Sequence, residues 1–87
     1  MRFRDLHVDT TNRFSLGIDH KTGSHYVSIP VANRLVDYEE YYTIEQSLVD
    51  GFPETFDAVM EIVKQCRDQK LDHQLIIEPG TDRGVAS

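Results

Sequence analysis

The sequence predicts an α+β fold: a three-stranded antiparallel meander, one long amphipathic helix packed on the sheet, and a short fourth strand. Three observations carry this. Residues 13–18 and 25–31 each alternate polar and apolar side chains, and a turn-forming run, Asp19-His20-Lys21-Thr22-Gly23, lies between them. Residues 35–44, L-V-D-Y-E-E-Y-Y-T-I, are rich in types that favour a pleated strand. Beyond them, Phe52, Phe56, Val59, Met60, Val63 and Cys66 recur at three- and four-residue spacing, the signature of a helix with one apolar face.

The elements follow in chain order. Within residues 1–12, Phe3, Leu6 and Val8 fit no single period, and Asp9-Thr10-Thr11-Asn12 is a turn-rich cluster. A loosely held N-terminal arm with at most a short strand near residues 6–8 is expected. Phe14, Leu16 and Ile18 then share one face of a strand, and Val27, Ile29 and Val31 share one face of the next. Asp19 can bond the backbone just ahead of it, and Gly23 can take the left-handed conformation that closes a short hairpin loop. Pro30 cannot donate to a ladder, so it marks an edge, a bulge or the end of pairing.

Ala32-Asn33-Arg34 turns the chain into the tyrosine-rich strand. Alternation sends Val36, Tyr38, Glu40, Tyr42 and Ile44 to one side, and Leu35, Asp37, Glu39, Tyr41 and Thr43 to the other. The first set is mostly apolar and should meet the core, which makes Glu40 its awkward member. A carboxylate there either reaches water at the sheet margin or is paired by tyrosine hydroxyls or a basic side chain.

Thr43-x-x-Gln46 has capping-box spacing and opens a helical turn through Leu48 and Val49. That turn breaks at Asp50-Gly51, and Pro53 opens the main helix over 53–70. Glu54, Asp57 and Glu61 lie early in it and Lys64, Arg67 and Lys70 late, matching the helix dipole. Leu75-Ile76-Ile77 reads as the fourth strand, docked parallel beside the third by a right-handed crossover or else beside the first. Residues 81–87 read as a tail, and 1–87 as one small domain.

Composition bounds the function. With 39% hydrophobic and 28% charged residues the chain is of ordinary globular make-up. No apolar run approaches the roughly 20 residues needed to cross a bilayer, and no apolar signal segment follows Met1. One cysteine permits no internal disulfide, so a cytoplasmic setting is expected. The net charge is −6, and residues 35–63 carry eight carboxylates and no basic side chain. Such a middle argues against nucleic acid, which requires clustered Lys and Arg. It fits either a basic protein partner or a solvated acidic face.

Four histidines raise the question of a metal, but no tight ligand spacing accompanies them. His7 and Asp9 would share one face of a strand, and His20 and His25 flank the hairpin turn. Asp37, Glu39 and Glu40 could supply a general acid and base, yet no nucleophile or oxyanion donor accompanies them. Cys66 lies on the apolar side of the helix and reads as a small hydrophobe. The Asp19–Gly23 run lacks the alternating ligands of a calcium loop. Arg83, within Pro79-Gly80-Thr81-Asp82-Arg83-Gly84, could clamp a carboxylate bidentately, from the tyrosine strand or from a second subunit.

The runs Tyr26-Val27-Ser28-Ile29-Pro30-Val31, Val36-Asp37-Tyr38-Glu39-Glu40-Tyr41-Tyr42 and Pro79-Gly80-Thr81-Asp82-Arg83-Gly84 together resemble a set of small bacterial proteins without an assigned activity. The similarity covers most of residues 13–85. It implies a bacterial cytoplasmic setting and brings no cofactor and no site residue.

The expected function is therefore a non-enzymatic interaction module of immunity or regulatory type. It would bind a basic protein, or itself as a homodimer, through Asp37, Tyr38, Glu39, Glu40, Tyr41, Tyr42 and Arg83. No membrane, nucleic acid, metal or cofactor is expected. The competing class is a small-ligand binder or enzyme that uses the 37–40 carboxylates with His7 or Arg83.

Overall fold

The computed structural model describes residues 1–80 and 83–86. Four antiparallel strands run in sequence order across one sheet: β1 (Phe3–Asp9), β2 (Phe14–Asp19), β3 (His25–Ala32) and β4 (Asp37–Thr43). Helices α1 (Gln46–Asp50) and α2 (Phe56–Arg67) follow, then a 3-10 turn over Asp72–Gln74 and a two-residue strand β5 (Val85–Ala86). The class is α+β, as expected, and the meander gains a strand at its N-terminal edge.

That strand is the expected loose arm. Phe3 pairs with Asp19 and Asp9 with Phe14, but the register slips between Asp5 and His7. A bulge shifts the alternation by one residue, so Phe3 and Asp5 face one side while His7 and Asp9 face the other. This is why no single period fits the segment.

The β2–β3 hairpin forms as its turn chemistry dictates. The Asp19 N–H donates to the Ser24 carbonyl at 2.8 Å, and Gly23 sits at φ 78°. The Asp19 carboxylate accepts from Lys21 N–H at 3.0 Å and from the Thr22 hydroxyl at 2.8 Å. It also takes the Arg2 guanidinium at 2.9 Å. Pro30 falls in a gap: β2 pairs with β3 only as far as Ser28, and β5 takes up the same side of β3 from Val31. A residue without an N–H fits where the ladder is interrupted.

One face of the sheet carries Phe14, Leu16, Val27, Ile29, Val31 and Tyr42 against Val49 of α1 and Val59, Val63 and Cys66 of α2. This single core holds the helices. Two details of helix entry differ from expectation. The N-cap of α1 is Glu45, with no side-chain cap, so the Thr43–Gln46 box is not made; Thr43 is still in β4. Pro53 lies in the turn before α2 rather than at its start: helical geometry begins at Phe56, and the Thr55 hydroxyl just before it donates to the Leu48 carbonyl at 2.7 Å.

The 75–77 run is not a full strand. Leu75 makes one antiparallel bridge to Tyr42, and the Ile76 N–H donates to the Tyr41 carbonyl at 2.8 Å. It docks on β4, the third strand of the predicted meander, but antiparallel and for one step only. Both helices and the 3-10 turn lie between β4 and this run, and the chain returns beside β4 in the opposite direction. Of the expected tail, residues 81, 82 and 87 lie outside the described residues, Val85 and Ala86 pair with β3, and Arg83 and Gly84 bond side chains of β4.

Candidate interaction surface: the two faces of β4

Alternation along β4 divides the candidate residues into two groups with different fates. On the helix side, Glu40 is 7% exposed and Tyr42 fully buried. Glu40 is the paired internal carboxylate rather than the marginal one. Arg83 reaches it with Nε at 2.9 Å from Oε2 and Nη2 at 3.1 Å from Oε1. The same guanidinium donates to Asp72 at 2.7 Å and 2.9 Å. The Tyr42 hydroxyl donates to Glu40 Oε1 at 2.9 Å. Tyr38 is half-buried, and its hydroxyl accepts the Gly84 N–H at 2.8 Å.

These contacts shape the local ionisation. Hydrogen bonds donated to Asp72 and then to Glu40 raise the Arg83 pKa, and Arg83 holds the Asp72 carboxyl below its usual value. Burial first, then the bond to Glu40, pushes the Tyr42 phenol up. Burial likewise pushes the Cys66 thiol up to about 12, with Glu40 adding to it. A thiol so disposed is protonated and unreactive at neutral pH.

On the other side no helix packs among the described residues. Asp37, Glu39 and Tyr41 project there together with Phe3 and Asp5 from β1, Gly17 from β2 and Tyr26 and Ser28 from β3, as the pairing register requires. Phe3 stacks on Tyr41 with centroids 3.8 Å apart, and Tyr26 meets both rings edge-on at 5.5 Å and 5.0 Å. Gly17 makes this possible: a Cβ there would collide with the Tyr26 ring and the Arg4 carbonyl. Tyr26 is fully buried and its hydroxyl donates to Asp5 at 2.6 Å. Arg2 caps the stack, its guanidinium carbon 4.7 Å from the Phe3 centroid.

Glu39 extends over Ser28, whose hydroxyl is 3.3 Å from Oε1. Desolvation raises its pKa; Asp5 adds to this, while Ser28 and Arg13 oppose it. Tyr41 is raised by desolvation, then by Glu39 and Asp5. The open face thus presents an aromatic platform beside Glu39, a carboxylate that a nearby cation would stabilise.

Of the seven residues expected to bind, Asp37, Glu39 and Tyr41 lie on the open face. Tyr38, Glu40, Tyr42 and Arg83 are engaged inside the molecule. His7 does not join either group: it packs on Phe52 at 5.0 Å and lies in the row His7, Leu16, Val27, Tyr42, three strand spacings or about 14 Å from Tyr42. Among the described residues, no three His, Cys, Asp or Glu side chains converge as metal ligands, and no helix is long and apolar enough to cross a membrane. Phe3, Asp5 and Asp72 were not singled out from sequence. The bulge hid the first two, and only the fold brings Asp72 to Arg83. No family model, curated protein or solved structure matches the chain.

Proposed function

We propose that the protein is a small non-enzymatic interaction module, of immunity or regulatory type, that binds a basic protein partner through the open face of β4. One observation carries this reading. The strand divides its polar aromatics and carboxylates, spending Tyr38, Glu40 and Tyr42 on internal bonds and leaving Tyr41 stacked on Phe3, with Glu39 and Asp37 further along the same face, which no helix among the described residues covers. Tyrosine supplies area at low entropic cost, and carboxylates supply selection for cations. The enzymatic alternative loses its parts, because Arg83 is saturated by two carboxylates and His7 is remote.

The test is titration calorimetry with a lysine-rich peptide and with its glutamate-rich counterpart. The lysine peptide should bind with an affinity that falls as salt rises, and Asp37→Asn with Glu39→Gln should weaken it while leaving the melting curve cooperative. Equal binding of both peptides, or no effect of the paired substitutions, would overturn the reading. A second copy is the other reading for the partner, and it would use a different surface: the outer edge of β1, where Leu6 and Val8 are 44% and 62% exposed. Light scattering separates the two, since the monomer is 10.0 kDa.

A further inference from the structure

The outer edge of β4 is only partly covered. Ile76 bonds the Tyr41 carbonyl on that edge, which fixes the direction of every backbone group along the strand. In an antiparallel sheet alternate residues point both N–H and C=O to the same side. Tyr41, Glu39 and Asp37 therefore aim theirs outward, away from β3. Past Tyr41 no backbone hydrogen bond from residues 77–80 reaches the strand, among the described residues. The chain instead leaves the edge, and Gly84 comes down on Tyr38 and against Ala32. Between strand and departing chain lies a slot of about 190 Å³, with Tyr38, Glu39, Glu40 and Tyr41 on one wall and Ile77, Glu78, Pro79 and Gly80 on the other.

We infer that this slot accepts an extended segment of a partner as an added antiparallel strand on β4, with Lys or Arg at every second position and apolar residues between. The alternation follows from the two faces of β4. Side chains of the added strand on the open face come opposite Asp37 and Glu39, the outward-aimed positions past Tyr41, where cations are favoured. Those on the other face meet Tyr38, Ile77 and Pro79, where apolar groups are favoured. Glu78 adds a second carboxylate to Glu39 at the slot, and Glu40 adds none because Arg83 neutralises it. Main-chain bonds supply affinity and alternate side chains supply selection, the general logic of strand addition.

The inference rests on the basic-partner reading and specifies its geometry. The probe is an acetylated, amidated peptide of alternating lysine and valine, eight residues long, added to the full chain. In an antiparallel ladder directly opposed residues share a face and exchange both bonds, so the lysine amides bond Asp37 and Glu39 while the valine amides point away. N-methylation of the lysine amides should weaken binding by more than about tenfold, the cost of one or more lost hydrogen bonds. N-methylation of the valine amides should leave it within about twofold.

Hydrogen exchange at the Asp37 and Glu39 amides should slow by at least about tenfold when the unmodified peptide is bound. If the unmodified peptide binds and lysine-amide methylation changes nothing, strand addition is overturned while the basic-partner reading stands. If neither this peptide nor a block arrangement of the same residues shifts any protein resonance, both fall. Equal affinity of the block and alternating peptides would remove the alternation.

Discussion

At the scale of single residues, the Arg83–Glu40 pair is the feature with the largest consequence. Glu40 sits 6% exposed at its side chain, so Arg83→Ala would leave a carboxylate buried without its cation. A loss of about 3 kcal/mol in urea unfolding is expected; a loss below about 1 kcal/mol would mean the pair is solvated. Arg83→Lys should recover only part, because an ammonium cannot hold two carboxylates with a planar fork. Gly17→Ala should cost about 1–3 kcal/mol by overpacking against Tyr26, with a change in the near-ultraviolet circular dichroism of the aromatic cluster. Glu39 acts in the opposite direction. Its raised pKa means the folded state holds the proton more tightly, so stability falls as pH rises from the unfolded carboxyl value through the folded one. Glu39→Gln should therefore raise the melting temperature at neutral pH, with the gain vanishing below about pH 4. No gain at neutral pH would show that Glu39 is not desolvated.

At the scale of elements, the hairpin and α2 were legible because each has a local cause. Asp19 and Gly23 make their turn from their own backbone and side-chain bonds, and the α2 face repeats at a fixed spacing. Truncating that face at Val63, fully buried in the core, should cost about 2 kcal/mol and leave cooperativity intact. Three things were not legible. The β1 strand hid behind its bulge, since one extra residue reverses the alternation by which strands are read. The start of α2 lies three residues past Pro53, where Thr55 bonds the Leu48 carbonyl, a contact between elements that local spacing does not carry. The 75–77 run has the composition of a strand, but its pairing ends after one bridge as the chain leaves the edge towards β5. The candidate site was legible to the level of strand and alternation, which gave the two groups correctly. The side carrying Tyr38, Glu40 and Tyr42 was also read as the core side; that Arg83 and Asp72 would form the ion-paired cluster with Glu40 was not.

At the scale of the whole molecule, acid and alkaline stability follow from the shifted groups. Asp19, held low by Arg2 and its turn bonds, and Asp72, held low by Arg83, contribute stability that is present above the ordinary carboxyl value and lost as pH falls through their folded ones. Cys66 stays protonated in the fold to about 12, so stability should also decline above about pH 9, where the unfolded thiol ionises. Urea midpoints across pH should trace that plateau, and Cys66→Ala should flatten its alkaline side. The sequence alone determined the class, the central hairpin, the apolar face of the main helix, the acidic middle and the alternation of β4. All of these depend on neighbours within a few residues or on counts. Only the tertiary structure decided that Arg83 neutralises Glu40 from 43 positions away, that Phe3 and Asp5 join Tyr41, and that a slot lies between β4 and residues 77–80. Those outcomes depend on which distant segments the single core brings together, and no local period encodes that.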